Sequence, residues 1–217
     1  MNACRVSLGD LTLTQEQLKI YALADIEMLL QSAGKSLSNY PPMPTADPSL
    51  IPDLQNHLIH DEMNYNMGLL TEEHNQLMAT MTDKQRRVYD KIMSKVEGNM
   101  PCLFFLYGYG GTGKTFIWRA MSAAIRSRGE IVLTVASSGI AALLILGGRI
   151  AHSRFGIPLL IHEASTCSLK LKTPLAQLVI QAKLIIWDEA PMMHIFCFEA
   201  LDRSFRDVMK EVNKKNK

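Results

Sequence analysis

Eight residues from Gly108 to Thr115 have the types and the spacing that phosphate chemistry needs. They are Gly108, Tyr109, Gly110, Gly111, Thr112, Gly113, Lys114 and Thr115, and they fit the pattern G-x-x-x-x-G-K-[ST] at every fixed position. Four glycines allow successive backbone N–H groups to point at phosphate oxygens without interference from a Cβ. Lys114 would contact the β- and γ-phosphates as a point charge, and the Thr115 hydroxyl would bind Mg²⁺. The pattern therefore predicts a phosphate-binding loop rather than an ordinary glycine-rich turn.

Two acidic residues after an apolar run could complete an ATPase site. Asp188 and Glu189 follow the apolar residues Leu184 to Trp187, about 75 residues beyond the phosphate loop. Asp188 would hold Mg²⁺ directly or through water, and Glu189 would polarise the attacking water as a general base. A strand that ends in Asp-Glu is common by itself. Together with the phosphate loop, the pair predicts ATP hydrolysis, with Lys114, Asp188 and Glu189 as the catalytic residues.

Gln85 has two interpretations. Thr82-Asp83-Lys84-Gln85 starts a predicted helix, with Thr82 as the N-cap and Gln85 as its capping-box partner. Alternatively, the Gln85 amide, 23 residues before the phosphate loop, could read adenine by donating one hydrogen bond and accepting another. From these residues alone, the cap is the favoured interpretation.

The segment from Arg149 to Pro158 mixes arginine, histidine, serine and phenylalanine beyond the end of a predicted strand. Cations and hydroxyls could contact nucleic-acid phosphates there, and Phe155 could stack on a base, as in a path for single-stranded DNA. The other interpretation is an ordinary polar loop with Phe155 in the core. Composition and spacing do not decide between the two.

Alternating strand and helix patterns surround these residues and must position them. The predicted strands are 102–107, 131–136 and 184–189, and the predicted helices are 82–96, 115–128, 140–146, 174–182 and 194–212. Strands that alternate with helices indicate an α/β fold with a parallel sheet and flanking helices. The glycine loop then lies between a strand and a helix, which is the setting that a phosphate loop requires.

The first 80 residues form a predicted α-helical N-terminal region, separate from the α/β part over residues 81–217. Residues 14–33 have apolar side chains on one helical face, and a second helical region is predicted over 53–81 with a break at Gly68. Between them, residues 36–52 are rich in proline and polar residues and predict an extended linker. The predicted site residues all follow residue 80.

The composition excludes several classes of protein. The 217 residues are 47% hydrophobic with a net charge of +2, so a core can form and any nucleic-acid surface must be local. Four widely separated cysteines without a C-x-x-C pair predict reduced thiols, not disulfides or a metal site. The apolar stretch from Ile131 to Leu146 is interrupted by Ser137-Ser138-Gly139 and is shorter than the roughly 20 residues of a membrane span, so no membrane partner is predicted.

Four segments together resemble the PIF-one helicase family, and the resemblance is closest to its Helitron-transposon branch. The segments are the phosphate loop, Thr134–Ala142, Gly147–Phe155 and Trp187–Met193. The resemblance covers residues 11 to 210 and implies an ATP-dependent 5′-to-3′ DNA helicase of superfamily one, RecD-like, with a RecA-like fold. It also implies roles in DNA repair, recombination and telomere maintenance, and a nuclear location.

The same resemblance implies roles for individual residues. Gln85 becomes the adenine-reading residue, the phosphate loop binds ATP, and Thr115 and Asp188 hold Mg²⁺. The residues implied to contact single-stranded DNA are Ser137, Ser138 and Gly139 in a first motif and His152 and Ser153 in a second. Ile150 stands where the family usually has threonine, which removes one hydroxyl that could contact a phosphate.

The family's next elements are a strand that ends in a γ-phosphate-sensing glutamine and a second RecA-like domain with arginine fingers. Neither is found after Pro191 in the 217 residues, so we expect an incomplete RecA-like domain, truncated after the Asp-Glu strand. An arginine at the γ-phosphate is worth about 10³ to 10⁵ in rate. We therefore expect the chain to bind Mg-ATP, to hydrolyse it slowly and not to unwind DNA unaided. The missing strand would lie between the phosphate-loop strand and the Asp-Glu strand, where a partner chain could complete the sheet.

Two other classes of function stay open. The first is a non-catalytic module that holds nucleotide or single-stranded DNA, which DNA binding without ATP turnover would distinguish. The second is another phosphate-loop protein, such as a nucleotide kinase, which would need an acceptor site and lid arginines that the sequence does not show. Fold alone does not separate these classes.

Overall fold

The computed structural model describes residues 36–44, 56–171 and 173–215, with seven further positions between 19 and 30. The chain divides into two compact units, Met1–His57 and Leu58–Lys217. In the first unit, the described residues include a 3₁₀ helix, Leu37–Asn39, which Ser36 caps. Most of the predicted helix over 14–33 and part of the predicted linker over 36–52 lie outside the described residues. The predicted domain boundary at residue 80 stays a prediction.

Between His57 and Lys215, several helices precede the first strand, and helices then connect each strand to the next. The helices are α1 (His57–Met63), α2 (Met67–Thr80), α3 (Asp83–Glu97), α4 (Lys114–Arg126), α5 (Gly139–Leu143), α6 (Ala151–Phe155), α7 (Pro174–Gln181) and α8 (Ile195–Lys215). The strands are β1 (Ile131–Ala136), β2 (Arg149–Ile150) and β3 (Ala182–Asp188). The predicted strands over 131–136 and 184–189 are confirmed, and so are the predicted helices that correspond to α3, α4, α7 and α8.

Short polar side chains determine where several helices begin. Thr82 and Gln85 form the predicted capping box at the start of α3. Thr173 accepts a hydrogen bond from Ala176 N at the start of α7. The predicted break at Gly68 lies a few residues earlier, because Asn66 accepts a hydrogen bond from Leu69 N and starts α2 before that glycine.

The three strands form one parallel sheet in the order β2-β1-β3. In its register, Ala136 of β1 lies opposite both Ile150 of β2 and Asp188 of β3. The three strands therefore end in one row, and the residues that follow them meet at a single edge of the sheet. A parallel sheet with helices on both sides is the predicted fold class, an incomplete RecA-like phosphate-loop domain, and that prediction is confirmed.

Strand β1 is buried along its whole length, and its residues alternate between two cores. Leu133 and Val135 belong to one core, with members from α6, α7 and α8 that include Phe155, Leu178 and Val208. Val132 belongs to the other, with members from α2, α3 and α4 that include Leu77, Tyr89, Met121 and Ile125. Because helices cover both faces, the carboxyl edge of the sheet is left as the accessible place for chemistry.

Residues 101–109 form no strand, so the prediction of a buried strand over 102–107 is wrong. Leu103, Phe105 and Tyr107 are 97%, 73% and 72% exposed. Their types favour a strand, but a strand also needs a neighbour to pair with. Strand β3 is at the edge of the described sheet, and no described strand lies between β3 and this segment.

The segment from Arg149 to Pro158 is more regular than either sequence interpretation assumed. It contains β2 and α6, so it is not an ordinary polar loop. Phe155 is fully buried, as the second interpretation predicted, and is not placed to stack on a base. In the described part of the chain, no helix has the length and apolar character needed to cross a bilayer.

Candidate nucleotide site and nucleic-acid interface

The phosphate loop leads into α4, and its shape requires glycine at two positions. Gly111 has a φ of 76° and Gly113 a φ of 80°, in the left-handed region where a Cβ is strained. A Cβ on Gly113 would also overlap Nε2 of Gln85. Gly113 is the N-cap residue of α4 and makes no side-chain cap. The first N–H groups of α4, with the positive end of the helix dipole, therefore suit a bound anion.

Lys114 is the first residue of α4, and its ammonium group lies over the loop. Nζ donates hydrogen bonds to Gly108 O at 2.7 Å and to Tyr109 O at 3.0 Å. Thr112 Oγ1 donates to the same Tyr109 O at 2.8 Å. The loop is thus folded around a cation, and a phosphate oxygen is a stronger acceptor for that cation than a neutral carbonyl. Thr115 follows in the first turn of α4 and is half-buried.

Asp188 is the last residue of β3, and Glu189 follows it in the left-handed conformation with a φ of 52°. Such a φ is uncommon for a residue other than glycine. Asp188 Oδ1 accepts hydrogen bonds from Trp118 Nε1 at 3.4 Å and from Glu189 N at 3.1 Å. Trp118 lies one turn beyond Thr115 on α4. This bond brings the carboxylate of Asp188 beside the helix that starts at the phosphate loop.

The donor set of the site fits Mg²⁺ that arrives with a nucleotide. No group of three or more acidic, histidine or cysteine ligands is found among the described residues. Mg²⁺ bound to a nucleotide does not need such a group, because it keeps several waters and uses one or two protein oxygens together with the phosphates. The Thr115 hydroxyl and the Asp188 carboxylate are the oxygen donors that the sequence predicts for it.

Gln85 combines features of both of its sequence interpretations. Its Oε1 accepts hydrogen bonds from Thr82 N at 3.1 Å and from Thr82 Oγ1 at 2.9 Å, which completes the cap of α3. Its Nε2 lies against Gly113 of the phosphate loop. The cap therefore fixes the amide next to the loop, where its N–H groups could meet a nucleotide, and the adenine-reading role stays a prediction.

The predicted DNA-contact residues lie together at the carboxyl edge of the sheet. Ser137, Ser138 and Gly139 directly follow β1, while His152 and Ser153 lie in α6, directly after β2. Because Ala136 and Ile150 are paired, the two motifs start side by side. The first motif also starts next to Asp188, which pairs with Ala136 on the other side of β1. One edge of the sheet thus holds both the acidic pair and the predicted DNA residues.

Two polar contacts join the first DNA motif to the acidic segment. Trp187 Nε1 donates a hydrogen bond to Ser137 Oγ at 3.1 Å. Ser138 Oγ donates to Glu189 Oε2 at 2.7 Å. The residues predicted to bind DNA and the residue predicted to activate water are therefore in direct contact.

Arg154, which the sequence offered as a cation for DNA, is buried and paired inside the protein. Its guanidinium donates to Glu62 Oε1, and Glu62 Oε2 accepts from Arg126 Nη2 at 3.5 Å. Tyr65 places its ring 4.6 Å from the Arg126 guanidinium carbon. Burial lowers the pKa of Arg154, which the charge of Glu62 opposes, and burial raises the pKa of Tyr65. This cluster is structural, so Arg149, which is exposed, is the arginine of the segment that solvent and ligands can reach.

Sequence reasoning missed several residues that position the site. Trp118 is three positions beyond Thr115, and residues at this spacing share a helix face, so its contact with Asp188 could have been suspected. Glu62 gave no such signal, because its two arginine partners are 64 and 92 residues away along the chain.

Comparison with known proteins agrees with the family that the sequence resembles. Residues 80–217 match the family model described as PIF1-like helicase. A curated relative, the ATP-dependent DNA helicase PIF4 of Trypanosoma brucei brucei (strain 927/4 GUTat10.1), is 31% identical over 106 residues. The matched part is 47% of this chain and 13% of the relative.

Proposed function

Because the chain belongs to the PIF1-like helicase family, we propose that it is an ATP-hydrolysing DNA helicase component whose motor site lies at the carboxyl edge of the sheet. In this proposal, the phosphate loop binds the nucleotide, with Lys114 on the β- and γ-phosphates. Thr115 and Asp188 would hold Mg²⁺, which would neutralise charge on the phosphates. Glu189 takes the proton of the attacking water. Single-stranded DNA crosses the adjacent residues that follow β1 and β2.

The observation that carries this proposal is the hydrogen bond between Trp118 Nε1 and Asp188 Oδ1, at 3.4 Å. It joins two segments that are 70 residues apart in the chain, namely the helix of the phosphate loop and the end of the acidic strand. An accidental glycine turn would have no reason to lead into a helix that contacts an Asp-Glu pair. A Mg-nucleotide site requires this neighbourhood.

The proposal is tested by measuring Mg-ATP binding and ATP turnover by the 217-residue chain, with and without oligo(dT). Lys114→Ala should abolish binding, because it removes the cation over the loop. Glu189→Gln should retain binding and lower turnover by about 10² to 10⁴, the usual contribution of a general base. The surface variant Lys91→Ala is the matched control for loss of one lysine.

The binding and turnover measurements can give three informative results. Equal ATP binding by the unsubstituted chain and Lys114→Ala would contradict the assignment of the loop. If the chain binds ATP and DNA but shows no ATP turnover that depends on Glu189, its function is that of a non-catalytic binding module. Turnover that oligo(dT) stimulates and that both site variants lose would support a motor.

The finer parts of the proposal rest on the resemblance. They are 5′-to-3′ polarity, roles in repair, recombination and telomere maintenance, and a nuclear location. Within the 217 residues there is one phosphate loop and one Asp-Glu strand, and family members take an arginine for the γ-phosphate from a second domain. We therefore expect slow turnover by this chain alone and no unwinding of a tailed duplex. A partner chain that supplies the arginine would raise the rate by about 10³ to 10⁵.

A further inference from the structure

The hydroxyl of Ser138 lies between the predicted DNA surface and the predicted general base. It donates a hydrogen bond to Glu189 Oε2 at 2.7 Å and accepts one from Ala141 N at 3.2 Å. The second bond is the N-cap of α5. Ser138 and Glu189 are both half-buried, so the pair is partly shielded from water and partly open to a ligand.

A serine hydroxyl carries one hydrogen. In this structure that hydrogen is used by Glu189. A DNA phosphate is an acceptor and also needs a donor. The same hydrogen cannot serve a phosphate oxygen and the Glu189 carboxylate at full strength, so the two acceptors compete for it.

The competition matters because of what the bond does to Glu189. The bond holds Oε2 in one direction, and the N–H of Glu189 donates to Asp188 Oδ1 at 3.1 Å. While the bond to Oε2 is made, Ser138 sets the direction of the Glu189 carboxylate.

We propose that Ser138 is a positioning residue that couples the binding of single-stranded DNA to ATP hydrolysis. Its hydroxyl restrains Glu189 while DNA is absent, and a DNA phosphate takes the hydrogen and frees Glu189 to act as the base. This inference rests on the proposed function, since it needs both DNA binding and a catalytic role for Glu189. The neighbouring hydrogen bond from Trp187 to Ser137 links the same turn to the acidic segment. A shift of this turn would therefore change the hydrogen bonds of both Ser137 and Ser138.

The inference predicts a thermodynamic coupling that can be measured without hydrolysis. The affinity for a fluorescein-labelled oligo(dT) is measured for the unsubstituted chain, Ser138→Ala, Glu189→Ala and the double variant. Removing Glu189 also removes a negative charge, which should strengthen DNA binding in both serine and alanine backgrounds. In the serine background it additionally frees the hydroxyl, so the gain in affinity should be at least about fivefold larger there.

The outcomes separate this inference from the function on which it rests. Failure of the unsubstituted chain to bind oligo(dT) would overturn both the DNA-binding function and the inference. If Glu189→Ala strengthens DNA binding by the same factor in the serine and alanine backgrounds, the inference is overturned, while the proposed DNA-binding function stands. A larger gain in the serine background would support it.

A second measurement separates coupling from a merely structural role. Ser138→Ala removes the cap of α5, so Thr173→Ala is the control, because it removes the cap of α7 through an equivalent hydrogen bond of 3.2 Å to Ala176 N. Thr173 precedes the helix that leads to the amino end of β3, which is the opposite edge of the sheet. The quantity compared is the ratio of ATP turnover with oligo(dT) to turnover without it.

We expect Ser138→Ala to raise DNA-free turnover and to lower this ratio to about one, because no hydrogen bond from residue 138 then restrains Glu189. Ser138→Thr keeps a hydroxyl and should restore the ratio of the unsubstituted chain. Thr173→Ala should leave the ratio unchanged, even if the protein becomes less stable. An unchanged ratio in Ser138→Ala would overturn the inference.

Discussion

Three structural features of Gly113 each require or favour glycine at this position. Its φ of 80° is left-handed, the space where a Cβ would lie is filled by the Gln85 amide, and it is the residue that starts α4. Glycine is therefore required here for reasons of conformation as well as for access to a phosphate. Gly110 differs, because it has no left-handed φ and a Cβ there would meet nothing within 4 Å.

This difference gives a matched pair of variants. Gly113→Ala should lower the free energy of unfolding by about 1 to 3 kcal/mol, because it forces a left-handed alanine and displaces Gln85. Gly110→Ala should change it by less than about 0.5 kcal/mol. Urea unfolding followed by circular dichroism measures both. Equal losses in the two variants would show that the conformation of Gly113 is not what the loop depends on.

The buried cluster around Glu62 acts at the scale of elements, because it links α1 to α4 and α6. Arg126 also donates to Leu146 O at 2.8 Å and Val132 O at 3.0 Å, so its guanidinium is fixed in place. Glu62→Gln would leave two buried guanidinium groups without a negative charge, which typically costs about 3 to 5 kcal/mol. Unfolding in urea should show this loss.

A control for the Glu62 variant comes from the partly exposed pair between Arg119 and Glu73. Glu73→Gln removes an equivalent carboxylate from solvent-screened surroundings, and it should cost less than about 1 kcal/mol. If Glu62→Gln lowers the free energy of unfolding as little as Glu73→Gln does, then water reaches the Glu62 cluster and the cluster does not hold α1 in place.

Elements also show what the sequence could and could not predict. Strand β1 was predicted because a run of six apolar and β-branched residues, buried on both faces, has no other plausible state. The phosphate loop could be predicted because its pattern is local. The segment 102–107 has equally favourable residues, yet whether it forms a strand depends on a neighbour that local sequence does not describe. The contacts of Ser138 and Glu62 escaped prediction because their partners are brought together only by the fold.

The exposed segment 101–109 gives a prediction that separates local preference from structure. Phe105→Ser should change the unfolding free energy by less than about 0.5 kcal/mol, as expected for an exposed site. Leu133→Ala, in the buried strand β1, should lose about 2 to 5 kcal/mol. A loss of several kcal/mol in Phe105→Ser would mean that the segment is packed in solution.

The same segment bears on association, since exposed apolar residues favour contacts between chains. Leu103→Lys should therefore lower the self-association of the chain in light scattering, while its stability in urea stays unchanged. Equal scattering by the variant and the unsubstituted chain would remove this segment as the cause of association.

At the scale of the whole molecule, charge limits how DNA can be held. The net charge is +2, and Arg154 is paired with Glu62, so Arg149 is the exposed arginine of the segment that holds the predicted DNA residues His152 and Ser153. Each phosphate charge neutralised on single-stranded DNA contributes about −0.7 to the slope of log K against log salt. If few cationic side chains contact the phosphates, the slope of log K against log salt should be shallow, about −1 to −2. Hydroxyl and backbone N–H groups would then contribute more of the affinity.

Salt titration of oligo(dT) binding tests this picture. Arg149→Ala should reduce the magnitude of the slope by about 0.7, because one released counterion is lost. Arg206→Ala removes an exposed arginine that pairs with Asp202 on α8, away from the sheet edge, and should leave the slope unchanged. A slope near −5, insensitive to Arg149, would mean that basic residues elsewhere in the chain contact the DNA. In that case the carboxyl edge of the sheet would hold nucleotide alone, and the hydrogen of Ser138 would have no phosphate to meet.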